Sequence, residues 1–328
     1  MRSELLRKAF IAAGLPEDLL QVVHLSLELA EALIKNPLIN FSPGEVRGTV
    51  ERAKYMISIA KSSLADMELK DTDKPGLRRF IKLVPLGVVL VIAPWTYLYL
   101  PSINSVLPAI LAGNSVILKP SPQTPLTGEL LRKAFIAAGL PEDLLQVVYL
   151  SPELAEALIK NSLIKFVSFT GSVARGHLVA KEATLSSAFK GVALALGGKD
   201  AAYVREDAGL DYTTAKLVNG AFFNSGQSCC AMDRIYVHQS KYDDFVKKLV
   251  EIAKTYKCGD PTKEDVNLGP VVTVGSADLI RKQVQDVPDD KEALYLTKYS
   301  KYGLTASIWT NAAGATKSEE AFLELCQA

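Results

Sequence analysis

Between residues 87 and 197 the chain keeps one rhythm, and it restricts the fold more than any other feature. Short apolar runs, "GVVLVIAPW" (87–95), "SVILKP" (115–120), "LLQVV" (144–148), "IKFVSF" (164–169) and "GVALALG" (191–197), alternate with helix-forming stretches at about 101–112, 125–138, 152–161 and 172–183. Strands that are apolar throughout and separated by helices predict a parallel sheet covered on both faces. Before this region stand an amphipathic helix over 45–65 and a polar hairpin over 66–86 that turns at "DTDKPG". After it come a helix around 211–228, a strand "RIYVH" and a helix through 240–256. Beyond "NLGPVVT" the pattern thins and stops.

One segment occurs twice. "ELLRKAFIAAGLPEDLLQVVHLSLELAEALIKNPLINF" (4–41) returns at 129–166, changed only at His24/Tyr149, Leu27/Pro152, Pro37/Ser162 and Asn40/Lys165. Such identity without a third unit indicates a duplication, not a stacked-repeat fold. The second copy lies inside the alternating pattern and is read as integral. The first lacks flanking strands and is read as an appendage without a site of its own, either packed over an exposed edge or loosely ordered.

A length of 328 residues accommodates two domains. Apolar content of 48% and charged content of 22% are those of an ordinary globular chain. A formal charge of +1 gives no electrostatic reason to expect nucleic acid or an anionic membrane as partner. The most apolar run, 83–95, is too short to span a bilayer. Four unevenly spaced cysteines form no disulfide framework, and the N-terminus carries no leader pattern, so a cytoplasmic protein is expected. The histidines at 24, 177 and 238 are isolated, and no Cys/His spacing suggests a metal.

Chemistry concentrates in two stretches. "FFNSGQSCC" (222–230) places adjacent thiols after Gly226 and Gln227, where a turn of small residues would expose one of them. Read alone, Cys229 fits either a nucleophile or a small buried apolar residue. Cys230 reads as packing, and Cys258 and Cys326 read as structural. "FTGSVARG" (169–176) sets Gly171 and Gly176 around a helix start, where bare N–H groups and the helix dipole suit a pyrophosphate.

Six motifs in one order resemble the NAD(P)-dependent aldehyde dehydrogenase superfamily. They are "PLGVVLVIAPWTY" (85–97), "LKPSPQTP" (118–125), "FTGSVARG", "LALGGKD" (194–200), "FFNSGQSCC" and "NLGPVV" (267–272), and the likeness resumes at "YGLTASIWTNAA" (302–313). The resemblance implies an α/β fold: a doubly wound parallel sheet forming the cofactor domain (42–194, hairpin included), followed by an incomplete α/β catalytic domain (195–328), with 1–41 appended. It implies NAD or NADP as cofactor and a small-molecule aldehyde as substrate. Cys229 would be the nucleophile, Ser172 would contact the pyrophosphate, Lys119 the adenosine ribose, and Trp95 would line the phosphate region. Pro122 replaces an acid that often binds the ribose hydroxyls, which leaves NADP open. A homo-oligomer through the 66–86 hairpin is also implied.

Three departures from the family pattern bear on activity. Ala195 replaces the glutamate that serves as general base, a loss of about 10²–10⁴ in rate. Thr96 replaces the asparagine that donates to the oxyanion, a loss of about 10²–10³, although the two factors do not simply multiply. The Glu-x-Phe-Gly-Pro motif that grips the nicotinamide ribose is absent after "RKQVQDVPDD" (281–290), and the chain stops before the family's last catalytic and oligomerisation strands. The expectations are therefore an aldehyde dehydrogenase of impaired activity, an inactive relative that at most binds a dinucleotide, or a CoA-acylating member that needs no water-activating glutamate.

Overall fold

The computed structural model describes residues 42–69, 76, 78–97, 99–261, 263, 265–285 and 306–311. The first copy of the duplicated segment, His24 and Cys326 lie outside the described residues. Two compact units part between Ala195 and Leu196.

The first unit opens with helix α1 (Ser42–Ser63) and a two-stranded antiparallel hairpin, β1 (Met67–Leu69) and β2 (Arg79–Ile81). Among the described residues of the 66–86 hairpin expected, the pairing covers Met67–Leu69 and Arg79–Ile81, and it is not purely polar. Met67, Leu69, Phe80 and Ile81 are all exposed on it. The alternating elements follow as β3 (Val88–Ile92), α2 (Leu100–Leu111), β4 (Ser115–Lys119), α3 (Pro125–Ala137), β5 (Leu145–Val147), α4 (Pro152–Lys160), β6 (Ile164–Gly171), α5 (Val173–Thr184) and β7 (Gly191–Leu196). Their sheet has the order β5-β4-β3-β6-β7, with β3, β4, β5 and β6 parallel.

Sequence patterning explains the burial. Ile103, Val106, Leu107 and Ile110 recur at helical spacing on α2 and are fully buried against Val89 and Val91 of β3. Burying each such side chain contributes about 1.5–3 kcal/mol. Two polar side chains fix the helix ends. Asn114 Oδ1 accepts from Leu86 N and Gly87 N, while its Nδ2 donates to Ala109 O, tying α2 to the entry of β3. Glu45 Oε1 accepts from Tyr99 N at 2.6 Å and Leu100 N at 3.1 Å, placing a carboxylate at the positive end of α2. Burial pushes the Glu45 carboxyl above its ordinary range, against those two hydrogen bonds.

The second unit contains β8 (Asp200–Val204), α6 (Leu210–Phe222), β9 (Met232–Val237), α7 (Tyr242–Ala253), α8 (Val274–Gln285) and β10 (Ala306–Trp309). Its sheet is three-stranded and parallel, in the order β10-β8-β9. The core joins Ala202, Val204, Leu217 and Phe245, with Trp309 packed against them. Four elements here depart from expectation. The helix expected over 211–228 ends at Phe222, because Asn224, Ser225 and Gly226 all turn left-handed (φ 51°, 58° and 74°). Strand β8 and helix α8 form where no element was expected. Beyond the point where the pattern stops, residues 306–309 add a strand to β8, and Arg205 N donates to Trp309 O at 3.1 Å to continue the pairing.

Candidate active site

Starting from β3, the chain of the first unit runs out to β4 and β5, then returns to the other side of β3 as β6. Open parallel sheets bind ligands beyond the carboxyl ends of the strands at such a reversal. Those ends are level: Ile92 pairs with Lys119 on one side and with Phe169 on the other. The sequence-predicted cofactor residues cluster along this edge. Trp95 is half-buried just past β3, Lys119 closes β4, and Gly171 and Ser172 carry β6 into α5.

Each has a local reason for its place. A Cβ on Gly171 would approach the Phe169 ring to 2.6 Å, so only glycine fits there without a shift. Ser172 caps α5, its Oγ accepting from Arg175 N at 3.4 Å. Burial lowers the pKa of Lys119, whose Nζ donates to Pro120 O at 3.5 Å. Gly176 departs from its expected role as an anion donor. It is buried inside α5 and its N–H donates to Ser172 O at 2.9 Å, so the first-turn donors left for an anion are those of Val173 and Ala174.

Two further positions that the family resemblance singled out lie in this unit. Thr96 is half-buried in the bend after β3, immediately before Tyr97, which adopts φ 50°. A left-handed residue with a large side chain costs about 1–2 kcal/mol, so this bend is held by its surroundings. Ala195 is the next-to-last residue of β7 and is exposed. It presents a methyl group and nothing that titrates.

The cysteine loop of the second unit is held by a side chain whose part was not foreseen. Gln227 Oε1 accepts from Val272 N at 2.8 Å, and its Nε2 donates to Asn224 O at 3.1 Å and Pro270 O at 3.4 Å. Ser225 Oγ donates to Gly269 O at 2.8 Å. The left-handed turn is therefore docked on the "NLGPVV" stretch. The pairing of that motif with "FFNSGQSCC" was the available signal.

Cys229 follows this clamp. It is half-buried, and its carbonyl accepts from Gly198 N at 3.3 Å. Burial, first of all, pushes the thiol above its ordinary value; the neighbouring Cys230 and, less strongly, Asp200 push it in the same direction. Its own backbone N–H acts the other way. Cys230 is half-buried, its Sγ 3.4 Å from Ser228 Oγ. Asp200, 1% exposed at the start of β8, is a buried acid near the cysteines that the sequence reading did not single out.

Other candidates fall away. His177 is exposed on α5, and His238 Nδ1 lies 2.9 Å from Ser240 Oγ in a turn cap. Cys258 is exposed, so its sulfur is not the structural element expected; its backbone bridges to Leu268. Among the described residues no group of three or more His, Cys, Asp or Glu side chains could hold a metal. No described helix is long and apolar enough to cross a membrane.

The chain belongs to the aldehyde dehydrogenase family, whose sequence profile matches residues 38–291. It is 32% identical over 241 residues to a D-glyceraldehyde dehydrogenase (NADP(+)) of Picrophilus torridus, covering 73% of this chain and 48% of that one. It is 39% identical over 207 residues to a vanillin dehydrogenase of Amycolatopsis, covering 63% of this chain and 42% of that one. Its fold is similar to the crystal structure of an NADP-dependent glyceraldehyde-3-phosphate dehydrogenase from Bacillus halodurans complexed with NADP, with TM-score 0.73, 26% identity, and 96% and 74% of the two chains covered. The chain spans about half the length of the curated relatives it matches.

Proposed function

We propose that this chain is an aldehyde dehydrogenase-type oxidoreductase in which Cys229 is the nucleophile, NAD or NADP is the cofactor, and turnover is impaired. The observation that carries this reading is the clamped turn at 224–227, which fixes the residues leading into a half-buried thiol. The sulfur would form a bond to the aldehyde carbon as the C=O π bond opens, and the thiol proton would pass to the carbonyl oxygen, giving a thiohemiacetal. A bound oxidised nicotinamide supplies the hydride acceptor. The resulting thioester would be cleaved by water, releasing the carboxylic acid and returning the thiol.

The residues present fit a dinucleotide. Lys119, half-buried at the end of β4, offers a cation, and Val173 and Ala174 offer N–H groups at the α5 terminus. The name of the Picrophilus relative includes NADP(+), which favours keeping NADP in the proposal beside NAD.

Impairment rests on the lack of an activating group. Burial, first of all, and the neighbouring Cys230 and Asp200 push the Cys229 thiol above its ordinary value, which works against forming the thiolate. Ala195, at the place expected for the base, cannot accept the thiol proton. These same two facts favour the second reading, a relative that binds a dinucleotide without turning over.

The experiment is an assay of reduced-nicotinamide formation by the purified chain with aliphatic and aromatic aldehydes and either cofactor. Expected rates lie at least about 10²-fold below those of active family members, from loss of the base alone; rates equal to theirs would refute the impairment. Thermal stabilisation by NAD or NADP separates the readings further, since ligand binding to the folded state raises its stability. Binding without turnover that Ala195→Glu with Thr96→Asn partly restores supports the enzyme-by-descent reading. No binding of either cofactor sinks both.

A further inference from the structure

We propose that Lys119 is a covalent modification site, at which small aldehydes condense with the side-chain amine to give a reversible imine. Its backbone is fixed in the sheet: Lys119 O accepts from Ala93 N at 3.0 Å, and Leu118 O accepts from Val148 N at 3.0 Å. Val116 and Leu118 are buried, so the alternation along β4 sends Ile117 and Lys119 to the other face of the strand. The side chain is half-buried there, and its Nζ meets one acceptor, Pro120 O at 3.5 Å. That carbonyl belongs to the next residue, and the contact is long for a hydrogen bond. Among the described residues no carboxylate pairs with this amine. A half-buried ammonium with neither a counter-ion nor a close acceptor is poorly stabilised, and burial lowers its pKa. A larger share of the nitrogen therefore carries a free lone pair than in an ordinary lysine. Desolvated lysines of this kind are the ones that form imines with carbonyl compounds.

Other lysines lack this combination. Lys190 is also half-buried and its pKa is also lowered, first by burial, but its Nζ donates to both Ile159 O and Asn161 O. To attack a carbonyl it must give up both partners. Lys160, Lys199, Lys248 and Lys257 are paired with Glu182, Asp233, Asp211 and Asp265. Lys181 is exposed on α5. At Lys119 the nitrogen lone pair adds to the aldehyde carbon while the C=O π electrons move to oxygen. A proton passes from nitrogen to that oxygen, and loss of water leaves the C=N bond. One aldehyde and one amine thus give one imine and one water, with no oxidant or reductant, and added water reverses the step. The imine stands at the end of β4, which the proposed function assigns to the cofactor, so excess aldehyde would compete with the dinucleotide. This competition rests on that reading; the adduct itself does not.

The test treats the purified full-length chain with propionaldehyde and cyanoborohydride, which traps an imine as a stable secondary amine. Peptide mass spectrometry then reads each lysine separately. Lys119 is expected to be labelled several-fold faster than the exposed Lys181, and Lys190 more slowly than Lys119. In urea the difference between Lys119 and Lys181 is expected to vanish, because burial no longer distinguishes them. Labelling of Lys119 no faster than that of Lys181 in the folded chain overturns the proposal. So does an advantage that persists in urea, since flanking sequence would then be its cause. A second arm adds NAD or NADP. Slower labelling of Lys119, with Lys181 unchanged, supports both the imine and the cofactor reading. Fast labelling that neither dinucleotide alters supports the imine and counts against a cofactor lying over Lys119.

Discussion

Replacing Gln227 tests whether the cysteine turn is held from outside. Gln227→Ala removes one accepted hydrogen bond, from Val272 N at 2.8 Å, and two donated ones, to Asn224 O and Pro270 O. The site is part-buried, and a neutral hydrogen bond is worth a net 0.5–1.5 kcal/mol. Counting the 3.4 Å bond at little, the loss is about 2 kcal/mol, or roughly thirtyfold in local opening. The direct assay is amide exchange at Val272, whose N–H loses its acceptor, and the expected acceleration is of that order. Alkylation of Cys229 by iodoacetamide should accelerate in parallel as the half-buried thiol becomes accessible. Gln227→Glu should be worse than alanine, because a carboxylate would face the carbonyl oxygens of Asn224 and Pro270. Unchanged exchange at Val272 in Gln227→Ala would refute the clamp, whatever the effect on activity.

Three other outcomes follow from the same geometry. Because burial and Cys230 raise the Cys229 thiol, its alkylation rate should keep climbing with pH past about 8.5, where an unperturbed thiol begins to level off; a plateau near neutrality would contradict this. Gly226→Ala should cost about 1–2 kcal/mol in a denaturant titration, since φ is 74° and the new Cβ would meet Ala221 O at 3.3 Å. Gly209→Ala, with nothing within 4 Å and a negative φ, is its near-neutral control. Glu45 has a folded pKa above its ordinary 4.5, so the folded state binds the extra proton and wild-type stability falls as pH rises through that window. The stability of Glu45→Gln relative to wild type should therefore increase with pH there, and a difference independent of pH would exclude the effect.

The first unit was largely readable from its residues because its strands are apolar throughout and its helices show helical spacing. "GVVLVIAPW" could become little other than a buried strand, and β3 spans Val88–Ile92. The second unit was read less well for identifiable reasons. The run "DAAYV" is short and two of its five residues are alanine, so β8 carried little strand signal, although it is the centre of its sheet. The overlong helix to residue 228 ignored "NSG", a turn signal that the structure realises as three left-handed residues. Lys119 and Ser172 fall beside the ends of strands that were readable, while their roles were assigned from the family resemblance alone. The part played by Gln227 could not be read, because its partner Val272 lies 45 residues further on. That the Gly176 N–H is engaged with Ser172 O could not be read either, because spacing does not reveal whether a glycine N–H is already used within the helix.

Geometry and activation at the cysteine come from different parts of the chain, and they have separate physical origins. The turn is held by neutral hydrogen bonds from Gln227 and Ser225 to the 268–272 stretch. None of those bonds requires a charge on sulfur, so the turn stays in place whether or not the thiol ionises. Activation would need a base, or a positive charge that stabilises the thiolate. The named influences that come from other residues, burial, Cys230 and Asp200, all act against ionisation. A substitution such as glutamate to alanine at the base position can therefore remove activity without disturbing the scaffold around the cysteine. Under the proposed function, the held cysteine turn fixes a place for chemistry, while the rate depends on groups that the loop itself does not supply.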